Sequence, residues 1–193
     1  MRVRIRLLAV AALSLAASRP VVFAADPLFQ SAQAKVDKLQ DDQWKPGEVV
    51  VFSPAEINAW VAAKVPEEIP SGIRDSRIEL GTDTATASAM VDFLKMEQAR
   101  GKATGWAIGK LIEGERPLKV SVRIASAGGK ITVYLTRVEL SGVGLEGTAL
   151  DLLIKTFFLP LYPDAKIGEP VDLDYNIDHI QIRPDGLRIT IKK

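Results

Sequence analysis

The sequence predicts an α+β fold in which a strongly curved antiparallel sheet wraps a buried long helix, with further helices near the N-terminus and in mid-chain. Three observations carry this. First, Leu145–Pro163 is the longest apolar run after the N-terminus and reads at helical period on two faces. Leu150, Leu153, Ile154, Phe157 and Leu161 share one face; Leu145, Leu152 and Leu159 lie on nearly the opposite one. Only Asp151 and Lys155 make a polar stripe, spaced i,i+4 with the acid first. Such a helix must be covered on two sides, and it is too short and interrupted to cross a bilayer, which takes about 20 apolar residues. Second, stretches with strand-like alternation stand on both sides of it. Third, the alternation Ile131, Val133, Leu135 reverses parity at Val138 and Leu140, which calls for a bulge that bends the strand.

The N-terminus reads as a cleaved signal peptide over residues 1–24. Arg2, Arg4 and Arg6 make a basic start, Leu7 to Ala17 an apolar middle, and Val22-Phe23-Ala24 a small-residue site before Ala25. A retained anchor is the alternative, and the short apolar middle argues against it. There is no twin-arginine pair and no cysteine for a lipid anchor. Residues 25–193 are then expected to form a single domain outside the cytoplasm, periplasmic in a Gram-negative host and otherwise extracellular. Losing Arg2, Arg4, Arg6 and Arg19 leaves 21 basic against 24 acidic residues, a charge of −3. That is not the balance of a nucleic-acid binder. Without cysteines the core must suffice alone, and 47% hydrophobic residues can supply one.

In order along the chain, Asp26-Pro27 opens a helix as N-cap and first-turn proline, followed by Leu28, Phe29, Ala32, Val36 and Leu39 at helical spacing, ending near Gln40. Lys45-Pro46-Gly47 is a turn and Glu48–Phe52 a β-branched strand. Ser53-Pro54-Ala55-Glu56 is a capping box, and Ile57, Trp60, Val61 and Lys64 give a one-faced helix expected to stop before Pro66. Strands follow. Ile78 and Leu80 lead through Gly81-Thr82-Asp83 into a return strand with Ala85, Ala87, Ala89, Val91 and Phe93 on one face. Pro117 starts a second hairpin, with Val120, Val122 and Ile124, a Gly128-Gly129 turn, and Ile131, Val133 and Leu135. After the apolar helix, Leu173, Tyr175 and Ile177 alternate with Asp172, Asp174, Asn176 and Asp178, and Leu187, Ile189 and Ile191 return after Pro184-Asp185-Gly186.

No constellation points to catalysis. His179 is the only histidine, and no G-x-S-x-G accompanies it. It is expected to close a strand face near Tyr175. Asp172, Asp174 and Asp178 share a strand face; carboxylates strung along one strand do not converge on a cation, so no metal site is expected and the row reads as a solvated face that discourages edge pairing. The pairs Glu67-Glu68 and Glu113/Glu115 stand in polar loops without the desolvation a general acid needs. Between Phe93 and Pro117, Gly101, Gly105 and Gly109 recur every fourth residue around Trp106. The segment reads either as a lid or membrane-touching flap over an apolar cavity, or as a helix packed closely on the sheet.

The C-terminal half carries VELSGVGLEG before LDLLIKTFFLPLYP, then an extended stretch closing on IRPDGLRITIKK, while the first half holds FSPAEINAWV. Over Val138–Lys193 this resembles the bacterial envelope families of TULIP-like lipid-binding domains. The resemblance implies a curved antiparallel sheet around a long helix, and apolar-ligand binding without catalysis. It leads to the expectation of a periplasmic carrier for lipid or another apolar molecule. Leu150, Leu153, Ile154, Phe157 and Phe158 would form one wall; Val122, Ile124, Val133 and Leu135 would form the other; Trp60 or Trp106 would stand near the mouth. No cofactor is expected, and the partners would be the apolar ligand and, transiently, a membrane surface. The alternative is an envelope scaffold or assembly module whose interior is filled by its own side chains.

Overall fold

The computed structural model describes residues 26–68, 72–99, 114–160, 162 and 166–193. It is a mixed α+β structure with antiparallel sheets. Helix α1 spans Pro27–Gln40 and begins as its sequence demands, the Asp26 carboxylate accepting the Leu28 N–H at 2.9 Å. Strand β1 is Val49–Phe52. Helix α2, Pro54–Glu68, opens on the capping box: Ser53 N–H donates to Glu56 Oε2 at 2.8 Å and Glu56 N–H donates to Ser53 Oγ at 3.2 Å. The helix continues through Pro66 instead of stopping before it. Only its last turn follows, where few backbone bonds remain to be lost. Strands β2 (Ile73–Leu80) and β3 (Thr84–Asp92) form a hairpin, and the short helix α3 (Phe93–Ala99) follows. Strands β4 (Glu115–Ala127) and β5 (Lys130–Leu140) form the second hairpin. Then come β6 (Val143–Gly144), helix α4 (Gly147–Leu153) continued by a π-helical turn over Ile154–Phe158, β7 (Pro170–Asp172), β8 (Ile177–Arg183) and β9 (Gly186–Ile191).

The strands make two sheets where one was expected. A small sheet has the order β1-β9-β8, joining the first strand to the last two. A large sheet runs β2-β3-β4-β5-β6, with β7 also pairing β5. The expected continuous strand from Leu173 to Ile177 is the place where the chain changes sheet. Tyr175 and Asn176 both take positive φ, 57° and 54°, and Ile177 N–H donates to Asp174 O at 3.3 Å, a tight turn between β7 and β8.

Each sheet has its own core. Ala32 and Leu39 of α1, Val50 and Phe52 of β1, Ile177, Ile189 and Ile191 pack into the first, with Val36, Ile57 and Trp60 against them. Val91, Phe93, Met96, Leu140 and Phe157 form the second, with the Phe93 and Phe157 rings 4.7 Å apart. The free edge of β8 meets the loops of the large sheet. Asp83 N–H donates to Ile182 O (3.0 Å), Ile180 N–H to Ser126 Oγ (2.9 Å) and Gly129 N–H to Asp178 O (2.6 Å). Helix α2 meets β2, and its Asn58 amide donates to Ile78 O at 2.9 Å and accepts from Ile78 N–H at 2.8 Å, as a neighbouring strand would.

The expected wrapping of a sheet around a long helix does not appear at this level. The sheets are not strongly curled. Helix α4 with its π turn is short, and along it Phe157 alone is fully buried, while Leu152 is exposed. One side of the helix is covered by α3 and the end of the large sheet, and Leu145 and Leu153 join that cluster. On the second apolar face, read from Leu152 and Leu159, no equivalent cluster forms among the described residues. Residues 1–24, expected to be a signal peptide, and the Gly101, Gly105, Gly109 and Trp106 segment lie outside the described residues.

Candidate functional site

The large sheet has one continuous apolar face. The register aligns Leu118 with Leu140, Val120 with Val138, Val122 with Leu135 and Ile124 with Val133. The bulge foreseen from the parity reversal sits at Thr136: Ser121 pairs Arg137 while the next residue, Val122, pairs Leu135. Thr136 Oγ1 donates to Ser121 O at 2.9 Å, satisfying an acceptor at the irregularity. The extra residue returns Val138 and Leu140 to the face of Val122 and Leu135.

Strand β3 brings Ala85, Ala87 and Ala89 beside Val122, Val120 and Leu118. On its other side Leu80 and Ile78 stand beside Ala85 and Ala87. A row of methyl groups between two rows of branched side chains is a trough. At about 3.3 Å per residue its alanine floor runs for about 13 Å. Among the described residues the cover of the trough lies at one end. Val91 and Leu140 are buried in one cluster with Phe93, Met96 and Phe157, and Val138 is buried too, whereas Val120, Val122, Ile124, Val133 and Leu135 are half-buried and Ala87 is exposed. Sequence reading placed these alanines on one face but missed them as site residues; their small size, between larger neighbours, was the available signal.

Of the residues expected to line a site, Val122, Ile124, Val133 and Leu135 therefore lie side by side on two strands. Leu150, Leu153, Ile154 and Phe158 are half-buried on the neighbouring helix, and Phe157 anchors that helix to the sheet. The two walls meet in a cavity of about 180 Å³ beside the bulge, lined by Leu135, Val138, Leu145 and Leu150 with Arg137 and Glu146 at its polar side. Trp60 is elsewhere. It packs against the first core and its indole N–H donates to Gln33 Oε1 at 3.0 Å, so the structure does not bring it to this face. Trp106 lies outside the described residues.

The polar candidates are engaged in structural contacts. His179 Nδ1 is 2.7 Å from Asp178 Oδ2, and Nε2 is 3.3 Å from the hydroxyl of its cross-strand neighbour Thr190. Asp172 pairs with Lys130 at 2.6 Å. Glu67 pairs with Lys64, and Glu115 accepts from the Arg74 guanidinium at 2.6 Å. Glu113 lies outside the described residues.

The most buried carboxylate among the described residues was recognised from the sequence only as a cap. Glu56 accepts from Lys35 Nζ and Ser31 Oγ, each at 2.5 Å, and from Ser53 N–H. Burial pushes its pKa up, but the bonds from Lys35, Ser31 and Ser53 outweigh burial and hold it at about 2 against an ordinary 4.5. It ties α1 to α2. Among the described residues no helix is long and apolar enough to cross a membrane. Compared with known proteins, the chain matches no family model, no curated protein and no solved structure.

Proposed function

We propose that this chain is a non-catalytic carrier for lipid or another elongated apolar molecule, exported and acting in the periplasm or outside the cell. The observation that carries the reading is the trough on the large sheet. A protein with no use for an apolar surface covers it or makes it polar. Here methyl-floored, half-buried surface extends beyond the part that α3 and Phe157 cover. An acyl chain laid along Ala85, Ala87 and Ala89 would remove that surface from water, at about 25 cal/mol per Å² before ordering costs. The cavity between Leu135 and Leu150 is too small for a ligand of that kind, since such pockets usually hold about 300–1,000 Å³. Binding therefore requires α4 to part from the bulged strand, pivoting on Phe157. Closure of helix and sheet around the ligand is the wrapped arrangement that the resemblance to TULIP-like domains implies. Contact with a membrane surface belongs to the same reading, as the step at which ligand enters.

One observation favours a second reading, an envelope scaffold with a self-filled interior. Phe93 and Phe157 are in direct ring contact where a cavity would otherwise begin. Native mass spectrometry of the exported protein after gentle extraction separates the two. The carrier reading expects co-purified mass in the lipid range, released by organic solvent. Protein at its bare mass, which also takes up no added fatty acid, supports the scaffold.

A further inference from the structure

A second cavity, of about 330 Å³, lies where the end of α1 meets the turn before β8 and the end of β9. It shares no residue with the trough. Leu39 and Ile191 form its apolar base, Trp44 and Tyr175 contribute rings, and Asp42, Asn176 and Lys192 supply polar groups. Its volume stands at the small end of the ligand-pocket range, about 300–1,000 Å³.

The backbone here is unusual in one respect. Among the described residues six non-glycine residues have positive φ, and three of them, Asp42, Tyr175 and Asn176, line this one cavity. Asp42 occupies the left-handed position that ends α1, with Asp42 N–H donating to Leu39 O and Gln43 N–H to Lys38 O at 2.9 Å. Glycine is the usual residue at that position. Tyr175 and Asn176 are the two central residues of a turn in which Asn-Gly is the usual pair. Of the six, four are Asp or Asn, which tolerate this conformation; Ser141 and Tyr175 are the exceptions, and of these two Tyr175 lines the cavity. The fold would be relieved by glycine at Tyr175, yet a large ring stands there, 38% exposed, at the rim of a cavity. Strain retained together with a side chain points to use of that side chain.

The polar groups are arranged with it. Asn176 Nδ2 donates to Asp42 Oδ1 at 3.1 Å, which leaves the second carboxylate oxygen and the Asn176 carbonyl to accept further bonds. Lys192 N–H donates to Asn176 O at 2.7 Å and fixes the turn against β9. Trp44 is held by its own indole N–H, which reaches Lys35 O at 3.5 Å, and by Lys38 Nζ at 5.3 Å over the ring. Two amphipathic rings beside a fixed carboxylate–amide pair suit a ligand with an apolar face and a rim of adjacent hydroxyls. A long acyl chain has the first without the second, and a simple anion has neither. A pyranose ring has both: its C–H bonds make a face for an aromatic ring, and its neighbouring hydroxyls donate to carboxylate and amide oxygens.

We propose that this cavity is a saccharide subsite, taking one pyranose unit against Trp44 and Tyr175 with its hydroxyls on Asp42 and Asn176. The test is a titration of the exported protein with methyl β-D-glucopyranoside, N-acetyl-D-glucosamine and cellobiose, with glycerol as a polyol lacking a ring face. The Trp44 indole N–H resonance, assigned with Trp44→Phe, is the readout. At least one of the three sugars should shift it saturably, and glycerol should not. Tyr175→Gly should leave the melting temperature unchanged or raised, because the backbone position suits glycine, while weakening the sugar by about tenfold or more. No saturable shift with any of the three, an equal response to glycerol, or unchanged affinity in Tyr175→Gly would overturn the proposal.

Discussion

The two sheets use the same kinds of residue to different ends. In the small sheet Val50, Phe52, Ile189 and Ile191 are all buried beneath α1 and α2. In the large sheet, among the described residues, Phe93, Met96 and Phe157 close one end of the apolar face, and the alanine-floored trough continues past them. The small sheet is built from both ends of the chain and acts as a solid clasp. The large sheet, a local run of hairpins, is the part with surface to spare.

The largest expected effect breaks the covered end of the large sheet. Phe157→Asp places an unpaired charge against Phe93, a penalty of several kcal/mol on a total of about 5–15 kcal/mol. The melting temperature should collapse or fall sharply. Where the variant still folds, amides of α3 and α4 should exchange fast while those of Val50 and Ile189 stay slow. A melt equal to that of the parent would mean that this helix face is exposed.

Next comes the joint within the clasp. The Glu56 carboxyl has its folded pKa depressed to about 2 from 4.5, so its stabilisation is complete above about pH 4.5 and is lost as pH falls toward 2. The depression corresponds to about 3 kcal/mol. Glu56→Gln should lose about that much at neutral pH and show a flatter acid limb in a series of melts. An acid limb as steep as the parent's would assign the dependence to other carboxylates.

One joint between the two regions, beside the bonds from β8 to the large sheet, is the Asn58 amide on Ile78. Asn58→Ala removes both bonds and uncovers a strand edge, at a cost of about 1–3 kcal/mol. The edge is then free to pair with another molecule, so light scattering should show concentration-dependent association that the parent lacks. A monomeric, fully stable variant would show that the edge needs no cover.

The smallest structural effect belongs to the trough. Val122→Thr keeps the shape, adds a hydroxyl to half-buried surface and should change stability by less than about 1 kcal/mol. Uptake of a fluorescent fatty acid should weaken more than stability does. The same change at Val50 should do the reverse, since that residue is 2% exposed and remote from any trough.

The parts of this architecture that local chemistry decides were legible in the sequence. Asp26-Pro27, the Ser53–Glu56 box, the hairpins around Gly81 and Gly128-Gly129, and the bulge implied by the parity reversal between Leu135 and Val138 each need only neighbouring residues. What depended on distant partners was not. Nothing in Val49–Phe52 says that it will pair with Leu187–Thr190, and this pairing splits the strands into two sheets. Tyr175-Asn176 has no glycine to announce a turn, so an alternating strand was the natural reading of its surroundings. Helix α4 was read as two-sided because Leu152 and Leu159 are apolar, yet among the described residues the structure covers one side. The four strand residues expected to line a site do lie together, because alternation fixes a face. Trp60 does not join them, because helix periodicity gives a residue's face without its partner.

Photolabelling with a diazirine-bearing fatty acid tests most directly the claim that the large sheet carries the binding surface. Cross-links mapped by peptide mass spectrometry should fall in β3, β4, β5 and α4, and should be competed away by unlabelled fatty acid. Labelling confined to the peptides of β1, β8 and β9, or equal labelling across the whole chain that no competitor reduces, would contradict it.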